Sequence, residues 1–321
     1  MKQIPNNLLV PGQYEEIDNS LAGAQGDIKK VLLVGYKTAT APAVTGKPLQ
    51  VLSWTKAAEQ AGYGSPLAIM AEAFLSINKI EECWILPVAE PETGSKWQKP
   101  FTLAVTTAGA GYVDIIVNGK ILSAPVSAGA AADEVAAAIV ARINSEDNLP
   151  VEAAAEDSIV TVASTVKGQV GNQNTVSMIS AASGVSIENG DPIPGVGAAE
   201  VKSLYAGLGG SRYNYFVFDF DDTANIQDLA AELEDRYSAL RQIGGRAFIA
   251  LSGDVGSATE AGSILAQVEA VNSPHILLVP RLNNPQLPCE WAARFAAAAC
   301  RILADDPAAN TYDVQVNGLE A

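Results

Sequence analysis

The sequence predicts an α/β fold: a mixed or parallel sheet with flanking helices, interrupted by an inserted β-rich (α+β) domain. Three observations carry that expectation. Residues 215–219, 246–251 and 275–279 are short apolar runs, and a helical pattern follows each one. Residues 30–36 and 83–88 bracket two further helical patterns in the same way. Between these parts, from about 101 to 187, the period changes to short alternating strands, with Gly- and Pro-containing links on either side.

Residues 1–26 show no helical period, and Pro5 and Pro11 oppose a helix. Val10, Pro11, Tyr14, Ile17 and Asn19 belong to an extended piece, expected to be an edge strand or an arm that pairs with another subunit's sheet. Residues 30–36 then form a buried strand, and a polar link runs to about Leu49. A short helix is expected over 54–62. Ser65-Pro66 caps a second one that carries Leu67, Met70, Ala71, Phe74 and Leu75. The strand at 83–88 completes a β–α–β unit.

In the insertion, strands are expected at 101–106, 112–117, 121–126, 151–155, 159–163 and 175–179, with one helix at 133–144. Asn118-Gly119 is the dipeptide of a tight hairpin. Trp97 is read as linker, and residues 188–197 lead back to the α/β pattern.

The first of the later helices carries Ile226, Leu229, Leu233, Tyr237 and Leu240, with Asn225 as its expected N-cap and Gly244-Gly245 as its stop. The second opens on the capping box Ser257-Ala-Thr-Glu260, and Ala261, Ile264, Leu265, Val268 and Val271 line one face. The third starts at Pro288 and is so rich in alanine that another backbone should approach it closely. Beyond it, Tyr312, Val314 and Val316 alternate as a strand would. The expected division is an arm at 1–26, a discontinuous core at 27–96 and 198–321, and an insertion at 97–197.

Composition narrows the function. The chain has 321 residues, 48% hydrophobic, with a net charge of −16. That charge opposes binding to nucleic acid or to an anionic membrane surface, both of which need basic groups. No run approaches the ~18 apolar residues of a membrane span. The first residues lack the basic-then-apolar form of a secretory signal, so cytoplasmic assembly is expected. Cys83, Cys289 and Cys300 sit in apolar segments and are expected to be buried free thiols. His275 is the only histidine, which leaves no histidine cluster for a metal and suits a structural or interface role. No catalytic residue, cofactor or metal is expected.

One motif points the other way. Asp219-Phe-Asp221-Asp222-Thr223 matches the Asp-x-Asp-x-Thr element of haloacid-dehalogenase-type phosphatases, where the first Asp is nucleophile, the second an acid/base, and Mg²⁺ neutralises phosphate. It stands at a strand's carboxyl end, and Ser252-Gly-Asp254 resembles a further element. Phosphoryl transfer also needs a cation on the equatorial oxygens, and no lysine follows Lys202. An Asp-rich strand end before a helix is more simply a turn and cap. Gly207-Leu-Gly-Gly210 lacks the Lys-Ser/Thr of a phosphate loop, and 167–172 is a loop between strands.

Several segments together resemble the tail sheath subunit of Mu-like contractile-tailed bacteriophages. They are Val10-Pro11-Gly12-Gln13-Tyr14 running on to Asp18-Asn19-Ser20, Gly64-Ser65 with its helix, and Trp84-Ile-Leu-Pro87-Val88. Further along stand Asn272-Ser273-Pro274-His275, Trp291-Ala-Ala and Leu303-Ala-Asp305-Asp306-Pro307. The insertion shares the family's style at Val117-Asn-Gly, Leu149-Pro150-Val151, Lys167-Gly168 and Gly171-Asn172.

The resemblance implies a structural, non-enzymatic subunit of a virion tail. Copies would stack as rings around a tail tube and contract to drive it through the host envelope. The implied partners are other copies, the tail tube protein, and baseplate and tail terminator proteins. A phage-derived bacteriocin or a secretion apparatus would use the same architecture. The resemblance also implies exchange of extended arms between neighbours, which makes Val10, Pro11, Tyr14, Ile17, Asn19, Tyr312, Val314 and Val316 candidate interface residues. Family chains continue past the Asp-Asp-Pro element, so assembly is expected to depend on sequence of that kind.

Overall fold

The structure is a computed structural model, and it describes residues 29–253, 263–281, 284–305, 314 and 316. The central strand is β1 (Lys30–Tyr36), whose seven residues are almost wholly buried because both faces are covered. The antiparallel edge strand β2 (Leu49–Val51) begins where the expected link ends, in a stretch for which the sequence predicts no element. Its three residues are too few to show a period. Then come α1 (Trp54–Ala61), α2 (Pro66–Ile77) and β3 (Glu82–Val88), at nearly the expected limits. Ser65 caps α2 as expected: its hydroxyl accepts from the backbone of Ala68, with Pro66 in the first turn.

After the insertion the chain supplies β11 (Tyr215–Phe218), α4 (Thr223–Tyr237), β12 (Arg246–Ser252), α5 (Ile264–Val271), β13 (Ile276–Arg281) and α6 (Pro288–Asp305). The sheet order is β13-β12-β11-β1-β3-β2, and every pairing except β2–β3 is parallel. Val31, Leu33 and Val217 face the layer of α1, α2 and α6. Leu32, Val34, Phe216 and Phe218 face α4 and its neighbours. The alanines of α6 are buried, and α2 lies against it closely enough for Asn78 Nδ2 to donate to the Ala297 carbonyl at 3.2 Å.

The insertion forms two antiparallel sheets around a core of its own. One sheet runs β10-β4-β8-β7, from β10 (Val185–Asn189), β4 (Gln98–Val105), β8 (Ile159–Ser164) and β7 (Val151–Glu156). The other runs β6-β5-β9, from β6 (Lys120–Val126), β5 (Gly111–Val117) and β9 (Val176–Ser180). Helix α3 (Ala132–Asn144) buries Val135, Ala136, Ile139 and Ile143 against them. Asn118 and Gly119 have φ of 50° and 88°, the left-handed pair that a two-residue hairpin between β5 and β6 requires.

Several expectations need correction. Strand β10 falls where the sequence predicts no strand and runs into the link expected from 188, and Trp97, read as linker, is buried in the insertion's core. The N-cap of α4 is Asp222, not Asn225: its carboxylate accepts from the Asn225 amide at 3.0 Å. An aspartate is as good a cap as an asparagine, so the pattern alone did not choose between them. Helix α4 stops at Tyr237, well before Gly244, and Leu240 is 97% exposed. In α5 only Ile264 is buried; Leu265 and Val268 are exposed, and the helix is capped by Ser263. The box at 257–260 and Ala261 lie outside the described residues.

A filled crevice and open sheet edges

The helical connection after β1 leads to β3 on one side, while that after β11 leads to β12 on the other. The carboxyl ends of β1 and β11 therefore bound the topological switch point, where sheets of this kind bind ligands. Asp219, Asp221 and Asp222 all stand there, directly after β11.

The insertion fills this crevice. A 3₁₀ turn at Gln169–Gln173 and the returning backbone at Gly197 and Ala198 close over it. The remaining cavity is about 20 Å³, lined also by Tyr36 and Asp219 to Asp222, with room for about one water molecule. The seam is knitted by named bonds. Gln173 Nε2 donates to Asp221 Oδ2 at 2.8 Å, the Ala199 amide to the Tyr36 hydroxyl at 3.0 Å, and the Gln169 amide to the Gly197 carbonyl at 2.8 Å.

Within the seal, Asp219 is buried, and among the described residues its hydrogen-bonding neighbours are only the Cys289 thiol and the Tyr36 backbone. Burial pushes its pKa up to about 7; the Cys289 thiol and the Tyr36 backbone offset part of that, and Asp221 adds to it. Burial also raises Asp221, against the lowering effect of Gln173. Arg281 lies close enough to act on Asp221, but its guanidinium is bound by the carbonyls of Asn284, at 2.6 Å, and Gln286. A nucleophilic carboxylate must be ionised and reachable by phosphate. Asp219 is still about half protonated at pH 7 and is sealed from solvent.

A second polar clamp holds the insertion to the core. Asn148 Nδ2 donates to Glu72 Oε2 at 2.5 Å, and Asn148 Oδ1 accepts from the Gly64 amide at 3.0 Å. Thr165 Oγ1 donates to the Gly64 carbonyl at 2.7 Å. Gly64 has φ of 73°, and a Cβ there would fall 2.1 Å from the Leu149 carbonyl oxygen, so glycine is required on both counts. Substitution Asn148→Ala removes two bonds and puts alanine at φ of 57°. It should cost about 2–3 kcal/mol in urea denaturation.

The sheet's edges are the other notable surface. Among the described residues nothing pairs with the outer side of β13, where Ile276, Leu277 and Leu278 are half-buried. Pro280 within β13 fits an edge position. At the opposite edge Leu52 and Ile80 are exposed and line an open groove of about 370 Å³ beside β2. Val314 packs against the core of α2 and α6, and Val316 is half-buried. Val10, Pro11, Tyr14, Ile17, Asn19 and Tyr312 lie outside the described residues.

His275 Nε2 is 2.8 Å from Glu234 Oε2 and its ring lies against Tyr237, which ties β13 to α4. The three cysteines are buried and free. Among the described residues no cluster of His, Cys, Asp or Glu is placed to hold a metal ion, and no helix is long and apolar enough to cross a membrane. Sequence reasoning marked Asp219 and Asp221 but missed Gln173 and Asn148. A polar residue in a turn gives no sign of a partner many positions away.

These features define a class: an α/β core carrying a β-rich insertion that occupies the core's own ligand crevice. Comparison with known proteins narrows it. The chain is 30% identical over 312 residues, 95% of its length, to the tail sheath protein of the Mu-like prophage FluMu of Haemophilus influenzae. The resemblance carried by the sequence motifs thus extends over nearly the whole chain. The chain spans 63% of that relative's length. A sheath tail protein of Listeria innocua has a TM-score of 0.34 and 11% identity, with 85% of this chain and 57% of that one covered. No family model matches.

Proposed function

We propose that the chain is a structural subunit of a contractile tail sheath. It would polymerise as stacked rings around a tail tube and contract to drive the tube through a host envelope. The 30% identity to a Mu-like tail sheath protein, along 95% of this chain, carries the reading. The filled crevice favours it over a Mg²⁺-dependent phosphatase, because Asp219 and Asp221 sit beside only about 20 Å³ of space.

On this reading the subunit divides into an arm at 1–26, a core at 27–96 and 198–321, and an insertion at 97–197. The separate buried cluster of the insertion supports that division. Its partners are other copies, the tail tube protein, and baseplate and terminator proteins. It is assembled in the host cytoplasm and works in the virion tail, with no direct contact to nucleic acid. The outer edge of β13, unpaired among the described residues, suits strand addition by a neighbour's arm, for which Val10, Pro11, Tyr14, Ile17 and Asn19, or Tyr312, Val314 and Val316, are the candidates. Contraction would be rigid-body rotation of subunits with the arms as hinges. The polar clamp around Asn148 supports that by tying core and insertion together.

Negative-stain electron microscopy of the gene product as encoded, with and without tail tube protein, tests this. Long striated cylinders are expected. Failure to form any ordered polymer with tube protein present, together with Mg²⁺-dependent phosphatase activity that Asp219→Asn abolishes, would overturn it.

A further inference from the structure

We propose that Asp219 is a proton-operated latch on the seam between the insertion and the core sheet. Protonated, it is a neutral group that the sealed crevice accommodates. Ionised, it drives the Gln169–Gln173 turn and the returning backbone at Gly197 and Ala198 to open and admit water.

The geometry gives an ionised carboxylate little support. Asp219 has only the weak Cys289 thiol donor and the Tyr36 backbone beside it, and among the described residues Gln173 Oε1, which lines the same cavity, lacks a partner, so the cavity is rich in acceptors and poor in donors. Among the described residues the neighbours offer no usable cation. From α6 comes the Cys289 thiol, whose pKa is itself raised well above the usual value by burial, and behind it Glu290, ion-paired with Arg294. From the end of β11 come Asp221 and Asp222, both acidic. From β1 comes Tyr36, whose backbone is the one main-chain neighbour that favours the ionised form and whose hydroxyl is taken by the Ala199 amide. From β13 comes Arg281, which acts on Asp221 and Cys289 and is tied to the carbonyls of Asn284 and Gln286. The Met70 sulfur and Gly35, on the sheet side, add no polar hydrogen.

A charge that cannot be paired can still be hydrated, and the hydrated state requires an opened seam. Opening returns Asp219 to an ordinary carboxylate, so proton release and opening are linked equilibria. With a closed-state pKa of about 7 and an ordinary one when open, the open population should rise about tenfold between pH 6 and pH 8.

Amide hydrogen exchange on the intact protein measures this, after correction for the pH dependence of the intrinsic rate. The seam amides of Gln169, Gly195 and Ala199 should show the tenfold rise, while the β5–β6 hairpin should not. Asp219→Asn should remove the rise. Equal opening at both pH values, or a rise that persists in the variant, overturns the proposal. Should the variant fail to fold, the ¹³C carboxyl resonance of Asp219 in the unaltered chain decides. A titration midpoint near 7 that tracks seam exchange supports the latch, and one in the ordinary carboxylate range overturns it.

Discussion

The substitution Asp219→Asn should stabilise the folded chain by about 2 kcal/mol at pH 8 and destabilise it by about 1–2 kcal/mol at pH 4. The sign follows from linkage. The folded pKa of about 7 lies above the ordinary value of 3.8, so the folded state holds a proton that the unfolded chain releases. Stability from this group is fully present below the unfolded value, falls as pH rises toward 7, and is flat above. The full span is at most about 4 kcal/mol, since a tenfold change in acidity is worth about 1.4 kcal/mol. Asparagine carries no charge to desolvate, but its buried amide is itself short of partners, which costs about 1–2 kcal/mol at every pH. The two stability curves therefore cross between about pH 4 and pH 7. Urea denaturation at several pH values reads the crossing directly. Parallel curves would mean that Asp219 is ionised and hydrated in the folded protein.

Asp219 also marks the boundary of what sequence alone disclosed. Its place at the end of a parallel strand was legible, because a short apolar run before Asp-Asp-Thr has few other readings. Its surroundings were not. The turn that seals it, Gln-Val-Gly-Asn-Gln, comes from the insertion, and its local chemistry suits any exposed loop. The same contrast recurs elsewhere. β1, α2 and the Asn118-Gly119 hairpin were legible because period, cap or turn residues act within a few positions. β2 and β10 were missed because each is an edge strand held by its partner, β3 or β4, rather than by its own pattern. Leu240 misled because it keeps helical spacing after the helix has ended at Tyr237.

Arg236→Ala should cost about 3–5 kcal/mol, the other large effect expected in this chain. Arg236 sits in the last turn of α4, where a cation suits the helix dipole, yet its side chain is fully buried. Burial lowers its pKa, and the nearby Glu232, at 3.5 Å, pulls the other way. Its guanidinium donates to the carbonyls of Gly209, at 3.4 Å, and Ser211. Those bonds fasten the stretch after the 3₁₀ helix Lys202–Leu208, whose Tyr205 and Leu208 pack in the same core as Leu229 and Leu233. Alanine would leave the Ser211 carbonyl without this donor and open a void beneath α4; Arg241 would still serve Gly209 and Glu232. Arg236→Met separates the two losses, since it restores volume without donors and removes a desolvated charge. Methionine should recover about half of the alanine cost, read as a shift in the urea midpoint at unchanged slope. Recovery of the whole cost would assign Arg236 to packing alone, and recovery of none would assign it to the Gly209 and Ser211 carbonyls.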